Sequence, residues 1–402
     1  MKKPLGAIWN SPSIRDAIER GDAAAARAEI RDIFKRANEQ TNQRMLGNLP
    51  APVRRQREVV AWLVIAAVVL IFSWVLRRVY KAFMPPEQAR KGGWQFRKYR
   101  VAYTLAAPAL LLIATWMYWP VLRGSIIAFQ DYSVLGDSRW VGTENFAAVL
   151  YSAEFWQSLR ISVVYAALYM LFGFFAPIGL AVLLSEIPAY KVMFRTLYYL
   201  PAVLTGVVVI FLWKSFYGPT GMINQLLNSG IAVLNHLPGV HLEMLQQDWL
   251  QSPNAALFFC LLPTIWAGMG PGCLIYLAAL KTVPEEIYEA ADIDGASSTV
   301  KLFHIALPSI KALIMINFIG AMIGAIRGSG GFILAMTGGG PYGEQGGATE
   351  VIGLKLFYIT FGNLQFGVGA AMAWVVGSML IGFTVLQLKR LSRMEFKTAE
   401  AK

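Results

Sequence analysis

Charge is scarce in this sequence. Only 15% of its 402 residues are Asp, Glu, Lys or Arg, while 56% are hydrophobic. Soluble domains carry about 25% charged residues, so a chain of two or three soluble domains is excluded at the outset. Cysteine is nearly absent: Cys260 and Cys273 lie 13 residues apart in one apolar run, about 20 Å apart by helical rise, too far for a disulfide. The three histidines, His236, His241 and His304, show no metal-ligand spacing with them. A Gly-x-x-x-x-Gly-Lys-Ser/Thr phosphate loop is missing, and with it the backbone cradle that ATP hydrolysis needs. The first 50 residues are polar and helix-prone, unlike a secretory signal, so insertion is expected to use an uncleaved span.

What is abundant is long uncharged runs. Mean hydropathy is +0.48, and seven segments reach the roughly 17 to 25 residues that cross a hydrocarbon core: Val59–Leu76, Val101–Leu122, Ile161–Ser185, Thr196–Trp213, Ala255–Leu280, Ala312–Met336 and Phe366–Leu388. All but the sixth lack Asp, Glu, Lys and Arg, and several contain proline, such as Pro177, Pro263 and Pro271. The fold expected is all-α and polytopic: a six-span core plus one additional N-terminal apolar segment. The net charge of +12 sits in connectors and termini rather than in a basic stripe interleaved with aromatics, so nucleic acid is not an expected partner. For the last six spans, one set of connectors holds 18 Lys and Arg and the opposite set six. The richer set, residues 77–100, 186–195, 281–311 and 389–402, is expected on the cytoplasmic side.

Three regions follow: a polar helical extension over 1–58, an additional membrane segment over 59–76, and a six-span membrane domain over 100–392. Residues 1–58 carry 12 Lys and Arg, which conflicts with a seventh full crossing. Residues 59–76 either span with the N-terminus outside or are re-entrant. Their 18 uncharged residues favour the span. Residues 12–43 read as an amphipathic helix or hairpin capped by Ser11 or Ser13.

The connector over 281–311 holds the most specific pattern. Glu289-Ala290-Ala291 precedes Gly295, and after nine intervening residues come Ile305 and Leu307-Pro308. Gly295 permits a tight turn between two short helices. Small residues Ala290, Ala291, Ala296 and Ser297 allow close approach of another protein, and Glu289, Asp292 and Asp294 offer acceptors to its Arg or Lys. This spacing matches the EAA motif, and the chain resembles the permease subunits of binding-protein-dependent ATP-binding-cassette importers. Trp140 to Phe146, Glu154-Phe155-Trp156, Tyr199-Leu200-Pro201, Thr337-Gly338-Gly339-Gly340-Pro341, Phe357 to Phe361 and Phe366-Gly367 narrow the resemblance to the sugar-importer branch, and to the first, larger membrane subunit of maltose-type systems. The pattern departs from that family at Arg327 to Gly331 and in the N-terminal extension.

The resemblance implies that Glu289, Ala290, Ala291, Asp292, Asp294, Gly295, Leu307 and Pro308 couple the chain to an ATPase dimer. It also implies a second permease, an external solute-binding protein and a sugar-like solute, with ATP and Mg held by the ATPase and no cofactor in this chain. Membrane lipid is the remaining partner, and a bacterial inner membrane is the expected site.

Trp266 and Gly268 before the loop and Asn317 after it are candidates for the solute path, since aromatic faces stack on sugars and amides pair with hydroxyls. The bland reading, interfacial or packed core, is the commoner one for such residues in a span. Arg327 with Gly328 is a further candidate. A buried charge costs at least about 2.5 kcal/mol near mid-membrane, so Arg327 either faces a watered path and binds solute, or snorkels, or pairs with a neighbouring subunit. His304 reads as a packing or capping residue. The main rival reading is an ion-coupled secondary transporter, which wants paired intramembrane carboxylates or His relays; six of the seven spans hold no Asp, Glu, Lys or Arg at all. No nucleophile or acid–base constellation points to an enzyme.

Overall fold

A computed structural model describes residues 30–31, 51–82, 99–134, 136–186, 191–204, 206–328, 330–343 and 346–391. Most of the expected 12–43 helix and the 392–402 tail lie outside these. The chain divides into two units, Met1–Val64 and Ile65–Lys402.

Helix dominates because a helix satisfies its own backbone where no water is present. Helix α1 (Ala51–Ala82) runs from the first unit into the second, with 27 residues, Pro52–Arg78, apolar enough to cross a membrane. The remaining elements belong to the second unit. They begin with α2 (Arg100–Ile127), β1 (Gln130–Asp131), β2 (Arg139–Trp140), α3 (Glu144–Leu150) and α4 (Ala153–Ser185). Next come α5 (Lys191–Val203), α6 (Gly206–Tyr217), α7 (Met222–Asn235) and α8 (Ala256–Leu280). Helices α9 (Glu285–Ile293), α10 (Ser298–Ser309), α11 (Lys311–Gly328) and α12 (Gly330–Thr337) follow. The chain then forms β3 (Tyr342–Gly343), β4 (Gly346–Gly347), α13 (Ile352–Gly362) and α14 (Phe366–Leu391). The strands form two small antiparallel hairpins, with Gln130 opposite Trp140 and Tyr342 opposite Gly347.

Among the described residues six helical runs are long and apolar enough to cross a membrane, seven if α10 and α11, bent by 71°, count as one. Two of the expected spans are broken. The run expected over 196–213 is α5 followed by α6: α5 contains Pro201, whose ring removes a backbone donor near the helix end. The run expected over 312–336 is α11, ending at Gly328, followed by α12, starting at Gly330.

Two apolar clusters hold the second unit together, one toward each end. At the end carrying α9 and α10, Phe174, Leu184, Cys273, Leu277, Leu280, Ala306 and Ile310 pack into one. At the opposite end Tyr165, Tyr217, Leu261, Ile333, Val351 and Leu354 form the other. Helix α5 places Phe194 and Tyr198 on the first and α6 places Tyr217 in the second, while the run long and apolar enough to cross a membrane here is Gly206–Asn235, α6 continued by α7. Cys260 and Cys273 are both free and buried, one in each cluster.

At Gly270 a Cβ would run into the Tyr198 carbonyl, so α8 lies on the backbone of α5.

Candidate functional site

The loop between α8 and α11 is a two-helix knob. Pro284 precedes α9, and Glu285 and Glu286 fill its first turn, where carboxylates complement the helix dipole. The helix stops at Asp294, and Gly295 follows with φ +73°, a conformation that costs other residues roughly 1–2 kcal/mol. Ser297 then caps α10, its hydroxyl accepting from the Val300 N–H. Lys301 Nζ donates to Asp292 Oδ1 at 2.5 Å and ties the two helices across the turn.

One side of this knob is rooted and the other open. Ala306 and Ile310 are buried in the first cluster, with Leu302 and Leu307 packed against it. Glu289, Ala290, Asp292, Asp294, Gly295 and Pro308 are exposed, and Ala291 is half-buried. Between the carboxylates stand bare apolar side chains: Ile293 is 88% exposed, and Ile287, Val300 and Phe303 are also open. Such a mixed apolar and acidic surface on a rigid root suits a protein partner. His304 Nδ1 lies 3.2 Å from the Val300 carbonyl, a local backbone contact.

The path candidates are spread over two helices. Trp266 of α8 is half-buried and meets the Trp213 ring edge-on at 5.9 Å. Gly268 is exposed, with open space where a Cβ would stand. Asn317 of α11 is half-buried and its amide meets the Tyr276 hydroxyl. Arg327 is exposed near the end of α11, no carboxylate among the described residues lies within ion-pair distance, and Gly328 closes that helix. Among the described residues no hydrogen bond, ion pair or ring contact joins Trp266 or Gly268 to Asn317 or Arg327.

The opposite end carries an arrangement that spacing did not reveal. Gly338 and Gly339 take φ +62° and +93°, and Gly340–Pro341 is cis. Tyr342 Oη and Tyr358 Oη both donate to the Gly338 carbonyl, at 2.6 and 2.8 Å. Thr349, fully buried, donates to the Gly340 carbonyl and shares a hydrogen bond with Thr337. Asn145, in the stretch Trp140 to Phe146, donates to the carbonyls of Ala128 and Gln130, while Trp140 stacks on Phe129, which also meets Phe146. Both stretches are thus joints that shape one end of the bundle.

Residues 188–393 match the family model described as the binding-protein-dependent transport system inner membrane component. The chain is 30% identical over 310 residues to the probable ABC transporter permease protein YesP of Bacillus subtilis, covering 76% of this chain and 94% of that protein. It is 27% identical over 299 residues to the trehalose/maltose transport system permease protein MalF of Thermococcus litoralis, covering 73% and 95%. Its fold matches a chain of a crystal structure of a bacterial ABC transporter involved in the import of the acidic polysaccharide alginate, with a TM-score of 0.64, 20% identity and coverage of 77% of this chain and all of that one. The chain therefore belongs to the binding-protein-dependent transport system inner membrane component family, in its sugar-importer branch, as a multi-pass membrane permease.

Proposed function

We propose that the chain lines, with a second permease, the translocation path of an ATP-driven, binding-protein-dependent importer for a carbohydrate or related polyol in a bacterial inner membrane. The observation that carries this is the α9–α10 knob, anchored in the core through Ala306 and Ile310 and open on its acidic and apolar face. It lies in the connector set richer in Lys and Arg, which assigns it to the cytoplasm. There it docks an ATPase dimer through Glu289, Ala290, Ala291, Asp292, Asp294 and Gly295. Leu307 and Pro308 join the knob to α11, so displacement of the knob rocks the spans as rigid bodies, the mode common among transporters.

ATP and Mg belong to the ATPase, since this chain has no phosphate loop; the chain itself catalyses nothing. An external solute-binding protein delivers cargo to the opposite end. The carbohydrate class rests on relatives named for trehalose/maltose, arabinooligosaccharide and sn-glycerol-3-phosphate transport. Trp266, Gly268 and Arg327 are the side of the path this chain offers. An ion-coupled secondary transporter is the disfavoured reading, because it needs neither the knob nor a partner.

The test is ATP hydrolysis and solute uptake by the complex co-purified on the tagged chain, native against Glu289→Lys and Gly295→Asp. Co-purification of an ATPase whose hydrolysis both changes uncouple from uptake is the expected outcome. A chain that purifies alone and still transports sinks the proposal.

A further inference from the structure

Helices α8 and α11 meet through the Asn317 amide and the Tyr276 hydroxyl. They run antiparallel: α8 leads from Leu261 in the second cluster to Leu277 in the first, and α11 starts beside Ile310 in the first and leads toward Ile333 in the second. At the helical period, Gly268 and Ile275 are turned about 80° and 100° away from Tyr276, and Gly320, Arg327 and Ile316 about 60°, 80° and 100° away from Asn317. Because the helices are antiparallel, both turns lead to the same side of the pair. All five residues are exposed. Their levels agree as well: measured along each helix from the contact, Gly268 stands about 12 Å and Arg327 about 15 Å toward the outer end. Gly268 is the midpoint of Ala256–Leu280, so Arg327 comes close to mid-span.

This side is an open, flat wall carrying one cation. A Cβ at Gly268 or Gly320 would meet nothing within 4 Å. Glycine in a helix interior costs about 1 kcal/mol against alanine, and no packing within this chain requires it at either position. Beyond Lys311, Arg327 is the only charged residue on α8 or α11, and no carboxylate among the described residues lies within ion-pair distance of it. A cation at that depth needs water or a counter-charge. A neutral sugar brings no counter-charge, and its hydroxyls are met as well by amides, without taking a guanidinium out of water. An oxyanion does bring one, and the planar fork donates two parallel hydrogen bonds to a carboxylate or phosphate.

We infer that the transported solute is an acidic sugar, bearing a carboxylate or a phosphate, and that Arg327 binds this group in transit while the ring lies on the wall over Gly268 and Gly320. The inference rests on the importer reading and narrows its solute from carbohydrates and polyols at large to their anionic members.

The test uses the whole transporter in a host lacking other uptake routes, with radiolabelled glucuronate, trigalacturonate and glucose 6-phosphate set against neutral glucose and maltotriose. The uronates and the phosphate ester separate the two sources of the oxyanion. At least one acidic probe is expected to enter, and Arg327→Gln to lower its uptake about tenfold or more. Arg327→Lys, which keeps the charge and loses the fork, is expected to lose less, through KM. Independently of any solute, Arg327→Cys is expected to react with the charged thiol reagent methanethiosulfonate ethylsulfonate supplied on both sides of the membrane, above the background of the buried Cys260 and Cys273. An unreactive thiol overturns the inference. So does ATP-driven uptake confined to the neutral sugars, no uptake of any acidic probe, or acidic uptake untouched by Arg327→Gln, each of which leaves the importer reading in place. That reading fails separately, if uptake persists once the ATPase is removed. Loss of the second permease from the Arg327→Gln complex also overturns the inference, because the arginine then pairs with a carboxylate of that subunit.

Discussion

Ser162 and Ile352 stand 190 positions apart, and the Ser162 hydroxyl accepts the Ile352 backbone N–H at 2.6 Å in a buried site. The bond pins the first residue of α13, whose N–H has no partner within its own helix, to the middle of α4. Ser162→Ala leaves that donor buried and unpaired, at a cost of about 1–3 kcal/mol. Thermal unfolding of the detergent-purified chain is expected to fall accordingly. An unchanged midpoint means the bond is replaced or absent.

Gly270 and Gly268 lie two residues apart on α8 and make opposite demands. Gly270→Ala drives a methyl against the Tyr198 carbonyl, an overpacking that costs about 1–3 kcal/mol. Gly268→Ala meets nothing within 4 Å and is expected to shift stability by no more than about 0.5 kcal/mol. Comparing folded yield and unfolding midpoint of the two variants checks the pair. Equal damage from both disproves the α5–α8 contact.

Lys355 on α13 lies outside the candidate spans, with its Nζ 2.7 Å from Glu154 and 3.3 Å from Glu350. Burial disfavours its charge, but the two carboxylates outweigh burial and raise its pKa. A lysine raised by folding contributes stability that is complete below its unfolded value of about 10.4 and is lost as pH climbs through the folded value. Lys355→Met is therefore expected to cost about 2 kcal/mol, with the same penalty near pH ~7 and pH ~9. The gap to the native chain closes only in stronger alkali. A penalty that shrinks across that window counts against the ion cluster.

In the knob, Gly295→Ala strains the turn by about 1–2 kcal/mol. Asp292→Asn removes an ion pair whose carboxylate is 61% exposed, worth less than about 1 kcal/mol. Stability is expected to drop visibly for the first and barely for the second. If Asp292→Asn nevertheless lowers ATPase co-purification, the carboxylate serves the partner and not the fold.

The all-α class with long apolar helices and the knob were legible in the sequence because both are written in local patterns: uncharged length for the helices, fixed spacing around Gly295 for the turn. The breaks between α5 and α6 and between α11 and α12 were not. Hydropathy averages over a window and is blind to whether Pro201 or Gly328 ends a helix inside it. The Ser162–Ile352 bond and the Lys355 cluster depend on partners nearly two hundred residues away, which no window contains. Helix α7 was missed for another reason: its Asn residues look like loop composition until their shared face is seen. Among the path candidates, Asn317 and Arg327 looked alike as polar interruptions of a span, yet one is turned to Tyr276 and the other stands open.

The segment over 242–247 is neither helix nor strand, yet its backbone is paired almost as a strand's would be, by side-chain amides of α7 that both give and receive. Every one of those bonds ends on main-chain atoms. The joint therefore carries information on one side only: Asn224, Asn228 and Asn235 are strict, while the residues they grip are interchangeable, apart from proline at 242 or 245, which lacks the N–H the amides receive. Sequence drift in that strip is free so long as its length holds, since one inserted residue puts every amide out of step.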